Sequence, residues 1–112
     1  MYTPEHHKQH TVEHIRRKGP HYAIFTDGSK SPSGVGLAAI SPDKTVQFSL
    51  PSDAFVFTAE LAAISSAVMI IKRMPPQKFT IYSDSRGAIE ALKNYYPKNP
   101  LVQQIKYSLH EL

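Results

Sequence analysis

At 112 residues the chain is bounded to one domain, with no apolar run near the roughly 18 residues of a membrane span and no signal-peptide core. It holds no cysteine, which excludes disulfide staples and thiolate zinc sites and suits a cytoplasmic or nuclear protein rather than a secreted one. The net charge of +4 and pI near 9.4 favour a polyanionic partner, though modestly, and the 41% apolar content is compatible with a real core.

Residues 1–20 read as a polar, histidine-rich and basic leader or linker, and residues 21–112 as the folded domain. His6, His10 and His14 recur every four residues and would share one face of a helix. No carboxylate-histidine core surrounds them, so a solvated, partly helical linker is favoured over a metal site. Gly19-Pro20 breaks any helix there.

The first strand is expected over residues 21–27. It is apolar on both faces, Tyr22 and Ile24 on one and Ala23 and Phe25 on the other, which predicts a central strand covered on both sides. It ends in Thr26-Asp27-Gly28-Ser29, where Gly28 lets the backbone turn sharply. Lys30 to Gly34 is a turn by composition. Val35–Ile40 and Thr45–Leu50 follow as second and third strands of an antiparallel meander. The third alternates apolar and polar residues and belongs near an edge.

The period then changes. Leu61, Ile64, Val68 and Ile71 recur at helical spacing from about Thr58 to Arg73, with Thr58 as N-cap and Pro75-Pro76 as stop. Lys78–Tyr82 is a fourth strand running into Ser83-Asp84-Ser85. Ser85 caps a helix from Arg86 to Lys93, and Asn99-Pro100 opens a last helix from Leu101 to about Leu112. The order β-β-β-α-β-α-α makes an α/β fold. The helical crossover sets strand four parallel to strand one, in spatial order 3-2-1-4. That leaves strand four as an uncovered edge, which natural sheets avoid, and which could pair with another chain.

Two adjacent parallel strands thus end in acids, Asp27 and Asp84, and Glu60, in the first turn of the covering helix, leans back toward them. Three converging carboxylates repel unless a cation sits among them. Hard divalent ions, Mg²⁺ or Mn²⁺ in its place, suit such oxygen ligands. Paired ions in such a site serve phosphodiester cleavage. Each acid also has a plain reading: Asp27 as a turn residue, Glu60 as a first-turn acid favoured by the helix dipole, Asp84 as a helix initiator.

The set Thr26-Asp27-Gly28-Ser29, Ala59-Glu60-Leu61-Ala62-Ala63-Ile64 and Tyr82-Ser83-Asp84-Ser85, in this order, resembles the type 1 ribonuclease H domain. The closest flavour is the domain of non-LTR retrotransposon polyproteins, downstream of their reverse transcriptase. The order matters: integrases and transposases of the wider superfamily place the helical acid after both aspartates, whereas Glu60 lies between them.

The resemblance implies a ribonuclease H-like fold, with Asp27, Glu60 and Asp84 as metal-binding catalytic acids and Mg²⁺ as cofactor. It implies endonucleolytic hydrolysis of the RNA strand of an RNA–DNA hybrid, leaving 3′-hydroxyl and 5′-phosphate ends. Gly28, Ser29 and Ser85 would lie near the substrate backbone, with 2′-hydroxyl contacts coming from Gly28-Ser29 and the start of the Glu60 helix. The family continues with a fifth strand, a histidine-bearing loop and a helix carrying a fourth acid. Here only Glu90, Glu111 and His110 follow Asp84, and none fits those roles. The chain therefore reads as a C-terminally truncated domain, part or fragment of a larger polyprotein. Its activity would be at risk, and a non-catalytic nucleic-acid-binding remnant is the alternative. That remnant would keep a basic surface of Lys30, Lys72, Arg73, Lys78, Arg86 and Lys93. A plain structural domain, its acids serving as caps and turns, is the third reading.

Overall fold

The computed structural model describes residues 10–14, 21–76 and 78–112. The elements are β1 (His10–His14), β2 (His21–Ser31), β3 (Gly34–Ile40), β4 (Thr45–Leu50), α1 (Val56–Lys72), β5 (Lys78–Ser83), α2 (Arg86–Lys93) and α3 (Pro100–His110). The five strands form one mixed sheet in the order β1-β5-β2-β3-β4. β2–β3 and β3–β4 pair antiparallel, and β2–β5 pair parallel, through the crossover helix α1. The expected 3-2-1-4 arrangement is therefore present as β4-β3-β2-β5, the order and directions of a ribonuclease H-like fold.

Three expectations change. The edge expected to be bare is paired: His10–His14, read from sequence as part of the leader, lies antiparallel to β5, with His10 opposite Ser83 and His14 opposite Phe79. The backbone groups of β5 supply partners that no helix could use, so this stretch is extended rather than helical. His6 and Arg16 to Pro20 lie outside the described residues. Secondly, β2 runs on to Ser31, past the expected turn. Asp27 pairs with Ala38 and Gly28 with Leu37, and the two-residue connection is Pro32-Ser33. The left-handed residue is Gly34 (φ 147°), at the start of β3. Thirdly, α1 begins at Val56, two residues before Thr58, and Phe55 at its N-cap gives no side-chain cap. Glu60 therefore lies one turn inside the helix.

The core lies on one face of the sheet. Ile24 and Thr26 from β2, Val35, Leu37 and Ala39 from β3 and Phe79, Ile81 and Ser83 from β5 are buried there. Leu61, Ile64, Ala67, Val68 and Ile71 of α1, Ala88, Ile89 and Leu92 of α2, and Val102 and Ile105 of α3 close over the apolar members. The alanines bring α1 close to the strands, and the branched side chains fill the space between. Tyr22 donates from its hydroxyl to Asp43, tying the β3–β4 turn to the start of β2.

The opposite face carries no helix among the described residues. The two-sided apolar pattern of Tyr22 to Phe25 thus marks a central strand covered by helices on one side only. On the other side Phe25 stacks on Tyr82 across the parallel β2–β5 pair (centroids 4.9 Å apart, planes at 16°), which shields both rings from water.

Candidate metal centre and the family it belongs to

β2 and β5 run side by side as far as Thr26 and Ser83. Both residues are fully buried hydroxyl-bearing side chains at the level where β5 stops. Thr26 Oγ1 donates to the Tyr82 carbonyl across the gap (2.8 Å), locking the two strands together immediately before their acids. Ser83 Oγ accepts from the Ser85 backbone N–H (3.0 Å) and so fixes the turn that carries Asp84. Buried hydroxyls need partners, and both satisfy theirs on the backbone that aims the acids. Nothing in the acid pattern pointed to these two positioning residues. A signal was available in their place one step before each aspartate, on the apolar side of the strand alternation.

Glu60 arrives from the other layer. Its side chain leans back toward the start of α1 and passes over Gly28. A Cβ at Gly28 would meet the carbonyl carbon of Ala59 and the amide nitrogen of Glu60 at 2.7 Å. Gly28 is thus required for close approach of helix to strand, not for a turn, since its strand continues for three further residues. That contact puts Glu60 beside the two aspartates. One ligand oxygen from each of Asp27, Glu60 and Asp84 lies within 4.8 Å of the others.

Electrostatics mark the place as unfinished without a cation. Glu60 is buried, and its Oε2 has no hydrogen-bond partner. Burial pushes its carboxyl up to about 7, reinforced by the charges of Asp84 and Asp27, while a hydrogen bond from the Gly28 backbone pulls the other way. A buried unpartnered carboxylate oxygen facing two more carboxylates is costly in apolar surroundings. An oxygen-seeking divalent cation removes that cost, and the donor set, all carboxylate oxygens, fits Mg²⁺ or Mn²⁺.

The plain readings of the acids do not survive this geometry. Asp27 sits within a paired strand, Glu60 lies beyond the first turn of α1, and the N-cap of α2 is Ser85, whose Oγ accepts from the Ala88 N–H (3.2 Å). Of the residues expected near substrate, Gly28 is covered by α1, Ser85 is engaged as a cap, and Ser29 is exposed on the open face of the sheet. Glu90 and Glu111 take no part: they pair with Arg86 (3.0 Å) and Lys72 (3.2 Å).

No match was found among curated proteins. The family model for RNase H matches residues 19–109, which takes in β2 through α2, all of α3 but its last residue, and all three clustered acids, and leaves β1 outside. The chain belongs to the RNase H family.

Proposed function

We propose that the chain is a type 1 ribonuclease H that hydrolyses the RNA strand of RNA–DNA hybrids endonucleolytically, with Asp27, Glu60 and Asp84 as metal-holding catalytic acids. The observation that carries this reading is the convergence of one carboxylate oxygen from each of Asp27, Glu60 and Asp84 within 4.8 Å of one another, with Glu60 buried and its Oε2 unpartnered, in a chain of this family.

Mg²⁺, or Mn²⁺ in its place, would supply charge to stabilise the developing phosphorane and to make a bound water acidic at neutral pH. The protein's own part is preorganisation. Thr26 and Ser83 hold the two aspartates on rigid backbone, and Gly28 lets Glu60 close the set from above. Such a site spends little reorganisation at the moment of reaction. The net charge of +4, with Lys30 and Arg86 exposed on the elements that carry Asp27 and follow Asp84, suits a polyanionic substrate. The motif wording further supports a domain of retroelement origin, part of a larger polyprotein with a reverse transcriptase.

The test is cleavage of an end-labelled RNA–DNA hybrid with Mg²⁺, beside the same duplex as DNA alone. Hybrid-specific products with 3′-hydroxyl and 5′-phosphate ends, abolished by EDTA and by Asp27→Asn, are expected. Hybrid binding that falls steeply with salt, without any cleavage, would instead favour a non-catalytic nucleic-acid-binding domain. Failure of Mn²⁺ to bind would remove the metal from the reading.

A further inference from the structure

The two edges of the sheet are unlike. One is closed by β1, a strand that carries Glu13. The other is β4, whose six residues, Thr45-Val46-Gln47-Phe48-Ser49-Leu50, include no charge and no proline. Edge strands are ordinarily blunted by a charge, a proline or a bulge, because their free backbone groups invite another strand. β4 has none of these along its length, and its register against β3 runs unbroken from the Val35–Leu50 pair to the Ile40–Thr45 pair. Among the described residues no strand pairs with its outer side.

Each face of β4 is suited to meet itself. Val46, Phe48 and Leu50 lie opposite the buried Ala39, Leu37 and Val35 of β3, so they stand on the helix side of the sheet. The helices close over the centre of the sheet and leave Phe48 53% exposed at its margin. Gln47 and Ser49 are exposed on the open side, and both are neutral. A two-fold axis perpendicular to the sheet sets two β4 strands antiparallel with like faces together. Centred on Phe48, it opposes Phe48 to its own counterpart, Val46 to Leu50 and Gln47 to Ser49. Apolar residues then meet apolar ones, an amide meets a hydroxyl, and no charge lies along either strand. Centred on Gln47 instead, the axis sets Lys44 against Leu50, a poorer match.

We propose that β4 is a self-association edge whose partner is a second copy of this chain, paired β4 to β4 about a two-fold axis at Phe48. The product is one continuous sheet across both copies. Its outer edges are both β1, where Glu13 discourages further growth, so assembly stops at two. Because the axis is perpendicular to the sheet, both open faces and both acid clusters look the same way. The contact is one short strand on each side, well below a standard interface, so the dimer is weak and forms at high concentration. It uses no residue of the metal centre and stands or falls apart from the nuclease reading.

Sedimentation equilibrium of the full chain, free of nucleic acid and in EDTA, from about 10 µM to about 1 mM, tests this. The wild type shows a monomer–dimer equilibrium with Kd on the order of 100 µM. Phe48→Glu and Phe48→Lys each remove the aromatic pair and set like charges opposite one another at the axis, weakening the dimer about tenfold. An equimolar mixture of the two variants restores association, because opposite charges then face each other across the axis. Phe48 is exposed, so both variants melt within about 3 °C of the wild type at low concentration. Gln47→Lys is a second probe. It places a charge on the open side of the edge and weakens the dimer while leaving the apolar row intact.

A wild-type chain that stays monomeric at about 1 mM overturns the proposal. So does a dimer that Phe48→Glu and Gln47→Lys leave unchanged, a mixture that associates no better than either variant alone, or an assembly that grows beyond two copies.

Discussion

Along β2, alternate residues belong to different environments. Ile24 and Thr26 face the helices and are fully buried, while Phe25 and Asp27 are half-buried and Ser29 is exposed on the open side. The same contrast runs through β3, where Val35, Leu37 and Ala39 are core and Gly36 and Ala38 line a hollow beside Asp27 on the open side. One set of backbone hydrogen bonds therefore serves both stability and chemistry. A rigid, dry layer on one side permits closely spaced charged groups on the other, because the strands that present them cannot relax. The two environments meet at Gly28 and Glu60, where a helix from the covered side reaches the acids of the open side.

The sharpest break in this contrast is Asp27→Asn. Cleavage of the hybrid should fall on the order of 10³-fold, the scale of losing a central electrostatic group in a preorganised site. The melting temperature in EDTA should hold or rise, since one of the charges repelling Glu60 is gone. A parallel loss of stability would show that the open face also holds the fold together. Ile64→Ala is the opposite experiment. Ile64 is fully buried under the sheet, and its truncation should cost about 2–5 kcal/mol by denaturant unfolding, while Mn²⁺ titration of the folded fraction shows affinity changed less than threefold.

Gly28→Ala should damage both sides at once. Its Cβ cannot share space with the backbone of Ala59 and Glu60 at 2.7 Å, so α1 must move off the strand. A stability loss of about 1–3 kcal/mol with a weakened Mn²⁺ site is expected. Loss of stability with metal affinity intact would separate the two environments more cleanly than the structure does.

A smaller effect comes from protons. Folding raises the Glu60 carboxyl from its ordinary 4.5 to about 7. Between those values the metal-free folded state holds a proton that the unfolded chain has released. The contribution of Glu60 to stability in EDTA should therefore be fully present below pH 4.5, fall as pH rises toward 7, and be lost above. Thermal melts across this range should show that slope in the wild type and lose it in Glu60→Gln. Added Mg²⁺ should stabilise more at pH 8 than at pH 5.5, because the ion competes with the proton. The smallest effect expected is at the rim. The Arg86–Glu90 pair is exposed at both ends (71% and 63%), and Glu90→Gln should shift stability by less than about 0.5 kcal/mol and leave cleavage unchanged.

Much of this was legible in the order of the residues. The helical spacing of Leu61, Ile64, Val68 and Ile71, the strand Lys78–Tyr82, the cap at Ser85 and the Asn99-Pro100 start of α3 are local signals, and the elements form within two residues of where they predict. The three acids were also identifiable, since Asp27 and Asp84 lie just past the last pairs of the parallel β2–β5 ladder and Glu60 lies near the start of the helix that crosses over it. Non-local pairing decided the rest. A turn signal at Asp27-Gly28 gave way to seven residue pairs with β3, because ladder hydrogen bonds outweigh a dipeptide preference. The polar stretch His10–His14 has no strand pattern of its own and becomes β1 only because β5 offers an edge. The reason for Gly28, the orphaned oxygen of Glu60 and the hollow beside Asp27 depend on distances between residues far apart in the chain. Periodicity carries which way a side chain faces. Only packing carries what it meets there.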